Sequence, residues 1–194
     1  MAGKVIVVVG VPGVGKTTVI NEAVRQGKEA GLQFQVLNFG DVMLELALSQ
    51  GLVENRDEIR KLKVDTQIAL QAEAARNIAK RAVTLSVILD THAIIKTPEG
   101  YWPGLPEPVV RALHPNHIVV IEADPEAIIA RRVKDQTIRN RSDDQTVDEL
   151  RFTMDINRQS VVASAVLSGA SIVFIKNEEG RALEAGSKIV NLLK

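Results

Sequence analysis

Five uncharged residues, Val5-Ile6-Val7-Val8-Val9, run directly into Gly10-Val11-Pro12-Gly13-Val14-Gly15-Lys16-Thr17-Thr18. The first run is β-branched and short, the pattern of a strand buried on both faces. From Lys16 to about Ala30 the chain carries helix formers with spaced apolar residues. A buried strand, a glycine-rich loop and a helix in that order make a phosphate-binding loop a mechanism rather than a string match. The glycines let the backbone curl so that its N–H groups converge on phosphate oxygens. The helix N-terminus adds partial positive charge. Lys16 brings a mobile full charge, and the Thr17 hydroxyl stands where these loops ligate Mg²⁺.

The rest of the chain repeats this alternation. Strands are expected at Val5–Val9, Gln35–Asn38, Ser86–Leu89, His117–Ile121 and Ser171–Ile175, with helices near 16–30, 41–50, 54–83, 125–137, 146–168 and 180–193. Such alternation predicts an α/β fold of the P-loop NTPase kind, a five-stranded parallel sheet with helices on both faces. Several boundaries have caps. Asp124-Pro125-Glu126 opens one helix, Thr146 and Glu149 have capping-box spacing, and Gly31 and Gly169 close helices. The 54–83 segment is alanine-rich, which favours helix, with a break expected near its middle.

At 194 residues the chain reads as a single domain. Lys+Arg and Asp+Glu both number 24, so no global basic field points to nucleic acid. Cysteine is absent, which excludes disulfides and thiolate metal sites. No signal-peptide pattern and no apolar stretch of about 18 residues is seen, so a cytoplasmic protein without a membrane span is expected.

Ligands of open α/β sheets gather beyond the carboxyl ends of the strands. Asp90 stands there, after Val87-Ile88-Leu89, placed to support Mg²⁺ directly or through water. His92, two residues on, either touches a nucleotide or satisfies a backbone carbonyl. The densest charged stretch, Ala130 to Asp144, contains Arg131, Arg132, Lys134, Arg139 and Arg141. Arginine forks are planar, always protonated and bidentate, which suits the charge of phosphoryl transfer. This segment therefore reads as a short lid, about 131–145, that closes over a triphosphate and excludes water. Arg56 and Arg60, spaced i and i+4, read as a clamp on a second phosphate, or as surface partners of Asp57 and Glu58. Arg158 has no obvious partner in sequence.

Taken together, Gly10 to Thr18, Asn38-Phe39-Gly40-Asp41-Val42-Met43, Arg56 to Leu62, Asp90-Thr91-His92-Ala93, Gly100 to Pro106, Arg139-Asn140-Arg141-Ser142-Asp143 and Asn177-Glu178-Glu179-Gly180 resemble the archaeal-type adenylate kinases. The resemblance runs in order along nearly the whole chain. It implies Mg²⁺-dependent phosphoryl transfer between ATP and AMP, giving two ADP. Gly10, Val11, Pro12, Gly13, Val14, Gly15, Lys16, Thr17 and Thr18 would hold the ATP phosphates, with Asn177 near the adenine. Phe39, Gly40, Asp41, Met43, Arg56, Arg60, Thr91 and His92 would form the AMP side, within a region of about 39–83. Lys16, Arg139, Arg141 and Arg132 would act on the transferring group, although the match does not choose between Arg131 and Arg132. Thr17 and Asp90 would serve Mg²⁺. The resemblance also implies a homo-oligomer, a trimer. Two other readings compete: a kinase for a different small acceptor on the same fold, and a P-loop ATPase acting as a switch or assembly module.

Overall fold

The structure, a computed structural model, describes residues 3–97, 99–135 and 146–194. In chain order the elements are β1 (Val5–Val9), α1 (Lys16–Glu29), β2 (Phe34–Asn38), α2 (Phe39–Ser49), a 3-10 turn (Arg56–Lys61) and α3 (Val64–Arg81). Next come β3 (Ser86–Asp90), β4 (Ile94–Thr97), β5 (Gly100–Pro103), α4 (Glu107–Leu113) and β6 (His117–Glu122). The chain ends with α5 (Pro125–Asp135), α6 (Val147–Ser168), β7 (Ser171–Lys176) and α7 (Ala182–Leu193).

The main sheet has five strands in the order β2-β3-β1-β6-β7, all parallel. This is the sheet the alternating pattern predicts, and β1 is its centre. Side chains of β1 alternate between the two faces, as the two-residue period of a strand requires. Val5, Val7 and Val9 join one core with α2, α3 and α4, while Ile6 and Val8 join the other with α1 and α7. Residues Ile6 to Val9 have no exposed surface. Full burial of such a side chain stabilises by about 1.5–3 kcal/mol, so the root of the glycine loop is firmly held. Long helix α6 contributes to both cores, through Leu150 and Met154 to one and Val161 and Ala165 to the other.

The caps read from sequence form. Asp124 Oδ1 accepts from the Glu126 N–H at 3.1 Å. Thr146 and Glu149 make a reciprocal capping box. Gly169 ends α6 with φ 75°. Three features differ from the sequence expectation. The 54–83 segment is not one helix broken at its middle. It is a 3-10 turn capped by Asn55, an extended step at Leu62 and Lys63, and then α3. The helix expected at 41–50 starts at Phe39, because Asn38 Oδ1 accepts from the Asp41 N–H at 3.2 Å and caps it there. Between β3 and β6 lie an antiparallel hairpin, β4–β5, and the short helix α4, neither of them expected.

Candidate active site

The glycine loop leaves β1 at the centre of the sheet and is anchored by its apolar residues. Val11 and Val14 are buried in the core beneath α1, so the loop cannot lift away. Gly13 and Gly15 have φ of 90° and 83°, the left-handed region that glycine enters without strain. Gly15 is also the residue before α1. Lys16, Thr17 and Thr18 therefore make up the first turn of that helix, where unpaired N–H groups face a ligand. Thr17 and Thr18 are exposed.

Strand register brings Asp90 and Asn38 to the loop. Val8 of β1 pairs with Asp90 of β3, and Asn38 of β2 pairs with Asp90 from the other side. Lys16 Nζ donates to Asp90 Oδ1 and, at 2.7 Å, to the Thr91 carbonyl. Asn38 Nδ2 donates to Asp90 Oδ2 at 3.2 Å. Burial pushes the Lys16 ammonium below the ordinary lysine value, and the Asp90 carboxylate beside it opposes that shift. Lys16 is thus a desolvated cation held by one carboxylate and one backbone carbonyl beside the glycine loop.

Asn38 is the hinge between two halves of the site. Its Nδ2 holds Asp90, and its Oδ1 caps α2. The first turn of α2 carries Gly40 and Asp41, and Asp41 Oδ1 receives Arg56 Nη1 at 2.6 Å. Arg56 therefore pairs with Asp41, not with Asp57 or Glu58. Arg56 and Arg60 lie on a 3-10 turn rather than an α-helix, so four residues separate them by roughly a third of a turn and they do not share one face. Both are exposed. Phe39 and Met43 send their side chains into the core, so only their backbone is left for a ligand. Thr91 is buried and its carbonyl already receives Lys16, while His92 is exposed.

From the other side, α5 and the residue that follows β7 grip the loop. Arg132 Nε and Nη2 donate to the Pro12 carbonyl at 3.0 and 2.6 Å. Arg131 Nη1 reaches the Val14 carbonyl at 3.4 Å. Asn177 is buried, and its Nδ2 donates to the same Val14 carbonyl at 2.7 Å. Its Oδ1 is buried without a hydrogen-bond partner among the described residues. Arg158, unassigned in sequence, pairs with Glu122 at the end of β6 at 2.5 Å and with Asp155 at 2.9 Å. Arg139 and Arg141, and with them most of the expected lid, lie outside the described residues. Sequence reasoning missed the roles of Asn38 and of the Asn177 amide. Asn38 had a signal, an asparagine three residues before an acid at a helix start. The Asn177 contact spans 163 residues and had none.

Thr17 and Asp90 are the oxygen donors beside the loop that suit a hard divalent cation. Mg²⁺ usually takes one or two protein oxygens and completes its shell with phosphate and water. One hydroxyl and one carboxylate at the mouth of a phosphate loop fit that requirement.

A family model described as an AAA domain matches residues 9–151. Among curated proteins, an adenylate kinase from Methanopyrus kandleri is 47% identical over 193 residues, covering 99% of this chain and 98% of its own. One from Methanocaldococcus jannaschii is 41% identical over 194 residues, with both chains covered completely. One from Saccharolobus solfataricus is 43% identical, covering 98% of this chain and 99% of its own. Among solved structures, a shikimate kinase from Acinetobacter baumannii superposes with a TM-score of 0.58 at 17% identity over 98% of this chain and 92% of its own, a likeness of fold. With relatives of this identity matched from end to end, the chain belongs to the adenylate kinase family.

Proposed function

We propose that this member catalyses the reversible, Mg²⁺-dependent transfer of the γ-phosphoryl group of ATP to AMP, giving two ADP, at the mouth of the sheet between β1 and β3. The observation that carries the reading is the Asn38–Asp90–Lys16 chain. It joins a phosphate loop on one side to the helix start whose Asp41 holds Arg56 on the other, so the two proposed phosphate-binding elements share one acid. A switch ATPase needs a positioned water in place of the second phosphate site.

The chemistry asks for positioning and charge. An AMP phosphate oxygen is already ionised at neutral pH, so no general base is assigned. The loop N–H groups and Lys16 hold the triphosphate, and Lys16 moves from Asp90 to the phosphates as they arrive. Asp90, released from that pair, and the Thr17 hydroxyl would hold Mg²⁺. The metal supplies neutralisation of phosphate charge. Arg56 and Arg60, with the first turn of α2 and the Thr91–His92 segment, take the AMP phosphate and orient its oxygen in line with the γ-phosphorus. Arg139 and Arg141 are assigned to the lid on the sequence match, and Arg132 supports the loop through the Pro12 carbonyl.

The reading extends to a homo-oligomer. Support comes from an exposed apolar stripe on α6, where Phe152, Val162 and Val166 fall on one helix face. Sedimentation velocity checks it, and a monomer at micromolar concentration removes it. Among the described residues no helix is long and apolar enough to cross a membrane.

The deciding experiment mixes the protein with ATP, Mg²⁺ and each nucleoside monophosphate in turn. Rapid ADP formation with AMP, and slow turnover with CMP, UMP and GMP, is expected. Turnover with another acceptor alone overturns the AMP assignment. Phosphate release independent of any acceptor points to the switch ATPase.

A further inference from the structure

We infer that Asn177 is a positioning residue for the phosphate loop, acting through the Val14 carbonyl rather than by reading the base. A peptide group is planar and trans, so a residue's carbonyl and the next residue's N–H point in opposite directions. Holding the Val14 carbonyl outward therefore aims the Gly15 N–H inward, toward the phosphate position. Asn177 Nδ2 holds it at 2.7 Å. Arg131 reaches the same oxygen from farther away, at 3.4 Å. Arg132 does the equivalent two residues earlier, where its grip on the Pro12 carbonyl aims the Gly13 N–H.

The surroundings are built for this contact. A Cβ on Gly15 would strike the Asn177 amide nitrogen, so glycine there serves the asparagine as well as the left-handed backbone. Asn177 is itself fixed, because its backbone N–H donates to the Glu122 carbonyl at 2.7 Å. The Glu122 side chain is in turn tied to Arg158 of α6. The amide thus sits at the end of a sheet strand and fixes a carbonyl of the glycine loop. The loop peptide is oriented before the nucleotide arrives, and less ordering is left to binding.

This inference rests on the triphosphate assignment of the loop, and the test separates the two. Native protein and the Asn177→Leu and Asn177→Ala variants are compared for KM of ATP, KM of AMP and inhibition by inorganic tripolyphosphate, which carries no base. Leucine keeps the shape of asparagine and drops the donor without adding charge, so the fold survives even if alanine leaves too large a hole. Both variants are expected to weaken ATP and tripolyphosphate by the same factor, about tenfold for one lost hydrogen bond, with KM for AMP within about twofold. Weaker ATP with unchanged tripolyphosphate makes Asn177 a base contact and overturns the inference. A native-like Leu variant assigns the residue to packing and also overturns it. Equal loss for AMP overturns it too, as a general structural effect. If native protein fails to bind tripolyphosphate, the loop assignment itself falls.

Discussion

Lys16 is desolvated and close to a single carboxylate, and the proposed mechanism uses both properties. A lysine in water spends its charge on solvent. One held in a nearly dry site against Asp90 gives its full field to whatever phosphate replaces that partner. Lys16→Ala is expected to lower kcat by about 10²-fold or more, as loss of a preorganised charge does. Turnover within a few-fold of native would remove the loop from the mechanism. Arg56 is a different case. Its pair with Asp41 is exposed on both sides, and such pairs contribute about 0–1 kcal/mol at most to stability. Arg56→Ala should therefore leave the denaturation midpoint nearly unchanged while raising KM for AMP about tenfold or more and leaving KM for ATP close to native. Steady-state kinetics with each nucleotide varied separately decides this, and an equal effect on ATP would place Arg56 outside the acceptor side.

Elements were legible where one strong local rule governs them. Each of the five parallel strands lies within one residue of its expected bounds, because buried parallel strands are continuous apolar runs. The β4–β5 hairpin was hidden by its length, since four-residue strands hold too few alternations to read. Helix α4 did carry a start signal in Pro106-Glu107-Pro108, although its seven residues sustain barely two turns of periodicity. The pairing of Arg56 with Asp41 was not legible, because it depends on a 3-10 turn folding back over α2. Element packing brings its own predictions. Helices α1 and α7 lie against each other, and a Cβ on Gly186 would come within 2.9 Å of the Ala23 nitrogen and the Glu22 Cβ. Alanine is the better helix former, yet Gly186→Ala should destabilise by roughly 1–3 kcal/mol, because the two backbones must part. Urea denaturation checks it, and a rise in stability would mean that the helices separate freely. At the β6–β7 seam, His117 Nδ1 and the Ser171 hydroxyl lie 2.6 Å apart. Burial, helped by the Lys4 ammonium, holds the His117 pKa below its ordinary 6.5. The unfolded chain then takes up the proton first as pH falls, so native stability should decline below about pH 6.5 until the folded value is passed. His117→Gln is expected to flatten that part of the curve of denaturation midpoint against pH.

Across the whole molecule, the two elements proposed to bind phosphate are separately anchored, and among the described residues they are joined through Asn38 and Asp90 and through the contact of Lys16 with the Thr91 carbonyl. The donor side stands on β1, α5 and β7, and the acceptor side on α2 and the 3-10 turn, so each should respond to its own ligand. A ligand that binds only the folded state stabilises it by RT ln(1 + [L]/Kd), about 2.7 kcal/mol at one hundred times Kd. For a domain of this size, each kcal/mol raises Tm by about 2–4 °C, so saturating AMP alone should raise it by about 5–10 °C. ATP alone should do the same through the loop. In Arg56→Ala, a tenfold weaker site leaves about 1.4 kcal/mol at that same concentration, so the AMP shift should shrink to about 3–6 °C while the ATP shift survives. Lys16→Ala should show the reverse. The paired thermal melts test the division of the site directly, because a single shared pocket would lose both shifts in either variant. A protein with no second phosphate site would show no AMP shift at all.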